Sequence, residues 1–231
     1  QEARRILCVN NQKQIGLVLE MYSTDNENHY PSTNSSVSWD DRLSEYDGRN
    51  LTDWQIASDT PAMSASGAND AELYPFPLYH CPADSNPLPA GVGLENKRSR
   101  RSYSLSWGSP IENNANSTRG ISESYLQPEW TMRTGQVERP GQRIIMTEFP
   151  VEANEAGTKH YAVAYGWMLG GFPGTGKYDL ADPAFWIHGH ATFDYLFADG
   201  HVKEVQFPET YLDVRSWRLG WTYGGTMWDC Q

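Results

Sequence analysis

The sequence of 231 residues predicts an α+β fold. Three observations support this prediction. The chain opens with an amphipathic helical pattern, short alternating segments follow in its second half, and two of those segments flank an Asp-Gly pair. A helix followed by a short antiparallel sheet is typical of the α+β class.

The helix is predicted over residues 1–28, because apolar residues recur there at the i, i+3, i+4, i+7 spacing of one helical side. That side consists of Cys8, Ile15, Val18, Leu19 and Tyr22. The polar run 25–28 is expected to end the helix, and Tyr30-Pro31 to continue in an extended conformation. Since no Ser, Thr or Asp caps the start, we expect the helix to continue upstream in the full gene product.

The stretch over residues 32–100 is predicted to be rich in loops, because Ser, Asn, Asp, Gly and Pro recur in it. Residues 39–43 are predicted to form one helical turn. The charges at Asp40 and Asp41, and the basic run 97–101, are expected to lie on the surface.

The strands are predicted from alternation of apolar and polar residues, and segment 143–149 is expected to be half-buried. The candidate strands are 103–107, 143–149, 161–165, 193–198 and 201–207. Asp199-Gly200 separates the last two. This pair favours a type I′ hairpin turn, since both residue types tolerate a positive φ.

The composition indicates a folded, acidic protein. Lys and Arg number 18 against 29 Asp and Glu, which gives a net charge of −11. This balance argues against a nucleic-acid partner or an anionic membrane, because both require clustered positive charge. The 9 Trp, 13 Tyr and 7 Phe exclude a disordered acidic chain and indicate an aromatic core.

The three cysteines are Cys8, Cys81 and Cys230. Their odd number allows one disulfide with a free thiol, an intermolecular bridge, or three unpaired thiols. Three Asn-x-Ser/Thr tripeptides provide candidate glycosylation sites at Asn34, Asn50 and Asn116.

The densest group of metal-ligand residue types lies near the predicted hairpin, and its members are His188, His190, Asp199 and His201. Alternate residues of an extended chain share a face, and imidazole and carboxylate suit Zn²⁺ or another divalent metal. Hydrogen bonding at a turn is the alternative role. Neither an HExxH helix nor a Gly-x-Ser-x-Gly elbow is present, so no catalytic residue is assigned, and no cofactor other than this metal is expected.

Landmarks that are collinear over about residues 3–203 carry a resemblance to a known family: 3–17, 21–22, 25–26, 30–31, 38–43, 80–84, 102–104, 139–140, 144–146 and 196–203. Together they resemble prepilin-type, pseudopilin-like proteins with a His-x9-Asp-Gly (DUF1559-like) domain. The family His falls at Gly189, between His188 and His190.

The resemblance implies a type IV pilin-like fold, with a long N-terminal helix on a small antiparallel sheet. It divides the chain into a helix at 1–30, whose hydrophobic upstream half is absent, and a head at 31–207 with a long insertion. Residues 208–231 form an aromatic-rich tail that the resemblance does not cover. The family cysteine positions match Cys8 and Cys81, so the resemblance implies a disulfide between them.

The function implied by the resemblance is that of a non-enzymatic structural subunit. It would assemble with itself or other pilin-like subunits into a filament or a pseudopilus of type II secretion, exported to the periplasm, cell surface or extracellular filament. Membrane contact would come only from the upstream segment. The assembly helix residues are Ile6, Leu7, Ile15, Val18, Leu19 and Tyr22.

Two other functions remain open from the residues themselves. An extracellular glycan-binding module would stack sugar rings on exposed aromatic side chains, for which the candidates are Trp217, Trp221 and Trp228. A metal-dependent enzyme would use the group around His188 and His201.

Overall fold

The computed structural model describes residues 2–33, 37–53, 77–85, 101–106, 120–122, 130–150, 154, 163–164, 187–189, 192–210, 227 and 230. These residues form an α+β fold, as predicted. The helices are α1 (Glu2–Asp25) and α2 (Trp39–Arg42), and short 3₁₀ turns occur at Thr134–Gln136, Pro140–Gln142 and Phe207–Thr210. The strands are β1 (Tyr103–Ser106), β2 (Ile144–Glu148), β3 (Val163–Ala164), β4 (Thr192–Phe197) and β5 (Val202–Gln206).

The described strands form one sheet in the order β3-β1-β2-β4-β5. The pairs β1–β2, β2–β4 and β4–β5 are antiparallel, in agreement with the prediction. The pair β1–β3 is parallel, with Leu105 opposite Val163, so the sheet is mixed at this edge. Sequence alternation predicts a strand but carries no information on the direction of its partner.

Helix α1 packs one side on the sheet, and the apolar residues Cys8, Ile15, Val18 and Leu19 are buried there. The approach is close at Gly16, where a Cβ would lie 3.1 Å from Leu196 of β4. Gln12 also joins the two elements, because its Nε2 donates a 2.9 Å hydrogen bond to the carbonyl of Asp194. Gly16 and Gln12 therefore position the helix on β4.

Helix α1 ends at Asp25, the first residue of the polar run 25–28. Glu27 and Asn28 have positive φ angles of 52° and 62°, a conformation that reverses the chain direction after a helix. Tyr22, predicted on the apolar side, is half-buried and contacts the ring of Tyr46 edge-to-face at 5.9 Å.

Strand β2 is buried along its whole length, whereas the sequence predicted a half-buried strand. It lies between β1 and β4 in the sheet. The tail also reaches it, because the amide of Ile144 donates a 2.7 Å hydrogen bond to the carbonyl of Met227. Strands β1 and β4 on either side, together with Met227 of the tail, shield β2 from water.

The hairpin between β4 and β5 forms where it was predicted, but its turn differs. Only Gly200 has a positive φ, of 86°, and Asp199 does not, whereas a type I′ turn needs both. The amide of Gly200 donates to the carbonyl of Phe197 at 2.9 Å. This geometry matches a three-residue loop, in which a turn precedes a left-handed glycine.

None of the helices in the described part of the chain has the length and apolar character to cross a bilayer.

Candidate functional site

A second apolar surface lies on α1, facing away from the buried side. We call it the outer helix face, and its residues are Ile6, Leu7, Leu17 and Met21. These side chains are 51%, 51%, 62% and 53% exposed. With 3.6 residues per turn, they lie within an arc of about 100° around the helix axis. A helix of this type has apolar residues on two sides, and the sheet covers only one of them.

The outer helix face carries no charge between residues 3 and 21. Ala3, Asn10 and Gln14 share its arc, and all three are exposed. Lys13 and Glu20 lie at its border. An uncharged strip of this length that carries four large exposed apolar side chains is more typical of a contact surface than of a helix face in water.

The predicted assembly residues divide between the two sides of α1. Ile15, Val18 and Leu19 are buried against the sheet and therefore do not lie on an assembly surface. Ile6 and Leu7 lie on the outer helix face. Leu17 and Met21, which the sequence analysis did not name, also lie on the outer helix face, and their spacing of four residues was a signal for a second helical side.

The disulfide between Cys8 and Cys81 is present, which confirms the pairing that the resemblance implied. It joins residues 73 positions apart, with a Cα–Cα distance of 4.9 Å. Asn11 reinforces the connection by donating a 3.0 Å hydrogen bond from Nδ2 to the carbonyl of His80. The segment 77–85 is thus fixed to the middle of α1, while Cys230 is buried near Ile144.

His188 lies against the disulfide, at the end of β2. Its Nε2 is 2.7 Å from Oε1 of Glu148 and 3.5 Å from Sγ of Cys81. Glu148 is oriented by the backbone of Asp194, whose amide donates a 3.0 Å hydrogen bond to Oε2. We call Cys8, Cys81, Glu148 and His188 the Cys-His-Glu cluster, and the side chains of all four are buried.

The electrostatics of this cluster follow from burial. Burial raises the pKa of Glu148, and the hydrogen bond with His188 offsets only part of this effect. Burial lowers the pKa of His188, but the hydrogen bond and charge of Glu148 outweigh it, so the net shift is upward. Burial and the charge of Glu148 raise the pKa of Asp194 to about 7. Two buried carboxylates therefore face one imidazole, with Arg5 Nη1 3.6 Å from Asp194 Oδ1.

The cluster does not have the geometry of a nucleophile–His–acid relay. Such a relay needs the nucleophile and the acid on different ring nitrogens of the histidine. Here Glu148 and Cys81 both meet Nε2 of His188.

The predicted metal group is divided by the structure. Asp199 and His201 are paired at the hairpin loop, with 2.5 Å between Oδ1 and Nδ1, and both side chains are 42% exposed. His188 lies near Asp194 at the other end of β4. At about 3.3 Å per strand residue, the two places are on the order of 15 Å apart. Strand β4 thus separates residues that the sequence had grouped, and His190 lies outside the described residues.

Asp199 and His201 form hydrogen bonds at a turn, which is the alternative role that the sequence left open. Burial is the largest single influence and raises the pKa of Asp199, but the hydrogen bonds donated by the side chain and backbone of His201 together outweigh it, so the net shift is downward.

The remaining predicted residues are largely outside the described part of the chain. These are the glycan candidates Trp217, Trp221 and Trp228 and the glycosylation candidates Asn34 and Asn116. Asn50 is described and exposed, with a left-handed φ of 49°. Those functions stay predictions.

A second buried polar cluster surrounds α2, where the sequence predicted surface charge. Asp40 and Asp41 are 0% and 1% exposed, and Arg101 from the basic run is 0% exposed. Arg101 Nη1 lies 2.5 Å from Asp40 Oδ1, and Arg101 Nε donates a 2.8 Å hydrogen bond to Asn154. The guanidinium of Arg101 also lies over the ring of Trp39, at 5.6 Å.

Arg49 completes this cluster. Its Nη2 lies 2.6 Å from Asp47 Oδ2, and its guanidinium lies over the ring of Tyr79 at 4.8 Å. The hydroxyl of Tyr79 donates a 2.7 Å hydrogen bond to the same Asp47 oxygen. We call Asp40, Asp47, Arg49 and Arg101 the α2 network. Its contacts join segments distant in sequence, which explains why local pattern did not reveal it.

Comparison with known proteins gives one match. Residues 1–149 match the model of a family described as "Protein of unknown function (DUF1559)". The match covers α1, the α2 network up to Arg101, and strands β1 and β2. No curated protein and no solved structure matches the chain.

Proposed function

The chain belongs to the DUF1559 family, and we propose that it is a pilin-like, non-enzymatic structural subunit that assembles through α1. The observation that carries this proposal is the outer helix face. Ile6, Leu7, Leu17 and Met21 are each more than half exposed, although all four lie on one side of the helix.

The energetics of the outer helix face favour a partner. Apolar surface removed from water contributes about 25 cal/mol per Å², so covering four large side chains at once gives a substantial driving force. The absence of charge in the arc between residues 3 and 21 means that no ion must be desolvated when a partner covers it. The strip is therefore suited to pack against another helix.

The attachment of α1 to the head supports the same proposal. The buried side of the helix is held by Ile15, Val18 and Leu19, and the disulfide from Cys8 adds a covalent connection. The outer helix face is thus presented by a helix that stays fixed to the sheet. Assembly through this face leaves the head folded and displayed outward.

We propose that the partner is a second copy of this chain or a related pilin-like subunit. Two copies would pack their outer helix faces against each other, or the outer helix face of one copy would pack on a different side of the helix of its neighbour. Export from the cytoplasm is part of the proposal, and the disulfide supports it because such bonds persist in oxidising compartments.

The test uses the full gene product, with any upstream sequence, expressed in its exporting host and examined by electron microscopy and sedimentation. We expect Leu17→Glu and Met21→Glu to lose assembly while the isolated chains remain folded by circular dichroism. Arg4→Gln is the matched control, because it changes the charge by the same −1 at an exposed position away from the face.

Unchanged assembly in Leu17→Glu and Met21→Glu would contradict the proposal. So would a wild-type gene product that stays monomeric at all concentrations tested. A loss of assembly in Arg4→Gln equal to that in Leu17→Glu would show that charge, and not the outer helix face, controls association.

A further inference from the structure

We propose that the Cys-His-Glu cluster binds one Zn²⁺ ion when the Cys8–Cys81 disulfide is reduced. The ligands are Sγ of Cys8 and Cys81, Nε2 of His188 and Oε1 of Glu148. Disulfide and zinc site are alternative states of the same four residues. Of the metal group predicted from sequence, this site contains only His188.

The positions of the four ligand atoms suit a tetrahedral ion. All four lie within 4.8 Å of one another. Bonds of about 2.3 Å to sulfur and about 2.0–2.2 Å to nitrogen or oxygen place tetrahedral ligands roughly 3.3–3.8 Å apart. The observed 3.5 Å between Cys81 Sγ and His188 Nε2 already falls in that range. Reduction releases the two sulfurs from their bond, and the 2.7 Å between His188 Nε2 and Glu148 Oε1 must lengthen by roughly 0.6 Å to reach the range.

The convergence on a single histidine nitrogen is the strongest sign of a cation site. Nε2 of His188 carries either one hydrogen or one lone pair, yet it meets both a carboxylate oxygen and a sulfur. One hydrogen cannot be directed well at both partners. An ion placed between them interacts with all three groups at once.

The residue types identify the metal. Thiolate and imidazole ligands select zinc over magnesium or calcium, and a carboxylate completes a four-coordinate site. Four protein ligands leave no open position, so the site is structural. Glu148 is held by the amide of Asp194, which is the kind of outer contact that orients a metal ligand.

The change between the two states has a simple balance. A thiol or phosphine reductant supplies two electrons, the S–S bond breaks, and two protons convert the sulfurs to thiols. The reductant is oxidised in the same step. Zn²⁺ then displaces the two thiol protons to solvent as the metal–sulfur bonds form. Oxidation by a disulfide reverses the sequence and releases the ion.

The experiment compares oxidised and reduced full-length chain, purified without metal. The reduced chain is prepared with a phosphine reductant, which is then removed under inert gas, and bound zinc is measured by mass spectrometry after gel filtration. We expect one Zn²⁺ per reduced chain and none per oxidised chain. Co²⁺ in place of zinc should give a thiolate-to-cobalt charge-transfer band in wild-type protein, which reports the sulfur ligands without any substitution.

The variants separate this site from other histidines and cysteines. His188→Gln and Glu148→Gln should weaken zinc binding by at least about tenfold. His201→Gln is the matched control for an exposed histidine, and Cys230→Ser for a cysteine outside the cluster; both should bind one Zn²⁺. A reduced wild-type chain without zinc, equal binding by the oxidised chain, absence of the cobalt–thiolate band, or equal loss in His201→Gln and His188→Gln would each overturn the proposal.

Discussion

The α2 network and the Cys-His-Glu cluster both bury charge, but they compensate it differently. In the α2 network, Asp40 and Asp47 face the guanidinium groups of Arg101 and Arg49. In the Cys-His-Glu cluster, Glu148 faces a single imidazole, with Asp194 nearby. Arginine stays charged at any ordinary pH, whereas histidine does not.

This difference separates a permanent arrangement from a responsive one. The guanidinium groups of the α2 network keep their charge over the whole ordinary pH range, which suits the role of attaching α2 to β1 and Asn154. In the Cys-His-Glu cluster, the charge of Glu148 is balanced by His188, which can lose its proton. The Cys8–Cys81 disulfide of the same cluster can be reduced.

The largest effect is expected in the α2 network. Arg101→Met removes the buried partner of Asp40, and breaking a buried ion pair in this way costs about 3–5 kcal/mol. The free energy of unfolding from urea titration measures it. Arg133→Met is the control, because Arg133 is 54% exposed and its partner Glu27 86% exposed, so the loss there should stay within about 1 kcal/mol. Similar losses in both variants would contradict the contrast.

The next effect concerns the disulfide beside the Cys-His-Glu cluster. Replacing both Cys8 and Cys81 by Ala should lower the free energy of unfolding by about 2–5 kcal/mol, because the bond closes a long loop in the unfolded chain. Urea titration in the presence of a chelator measures this loss. Reductant should destabilise the wild-type chain by a similar amount and leave the double variant unchanged; a response of the double variant would rule out this cause.

A smaller effect is expected for Glu148→Gln, at about 1–2 kcal/mol. The amide keeps an oxygen to accept from the amide of Asp194, and it removes one of two neighbouring carboxylates. Thermal or urea unfolding of the oxidised chain gives the value. A loss in the free energy of unfolding as large as that of Arg101→Met would show that buried charge is compensated in the same way in both regions. Glu204→Gln, at a half-exposed carboxylate paired with Arg5, should change stability by less than about 1 kcal/mol.

A further effect depends on pH and concerns Asp41, beside the α2 network. Burial and the charge of Asp40 raise the pKa of Asp41 to about 8 from an ordinary 3.8. Between these values the folded chain holds a proton that the unfolded chain has lost, so this group makes stability fall as pH rises from about 4 to 8. Asp41→Asn should match wild type near pH 4 and be clearly more stable than wild type near pH 9, with the difference growing through that range.

Unfolding curves at both pH values measure this difference. An Asp41→Asn chain whose stability relative to wild type is the same at both pH values would show that Asp41 titrates normally. Asp41 would then stay charged across this pH range, as the arginines of the α2 network do.

The elements that local spacing defines were predictable from the sequence. Helix α1 and the β4–β5 hairpin depend on the period of apolar residues and on an Asp-Gly pair between neighbouring segments, and both lie where expected. The disulfide was implied by the family resemblance, since spacing alone left several pairings open.

Contacts between distant segments were not predictable in the same way. Asp40 and Arg101 are separated by 61 residues, and Cys81 and His188 by 107. A charged residue in a loop-rich sequence is usually exposed, so local pattern placed Asp40 and Arg101 on the surface. Likewise, proximity in sequence grouped His188 with Asp199, although the strand predicted at 193–198 places them near its opposite ends.

The position of the disulfide also determines how force travels through the molecule. A pull on the first residues of α1 reaches Cys8 before it reaches Ile15, Val18 or Leu19. The covalent bond passes the load to Cys81, whose backbone amide donates to Ser102 beside β1. Tension applied to the helix is therefore transmitted to the sheet through the disulfide. The apolar contacts between helix and sheet then do not have to break one after another. Breaking that bond would transfer the whole load to the helix–sheet interface.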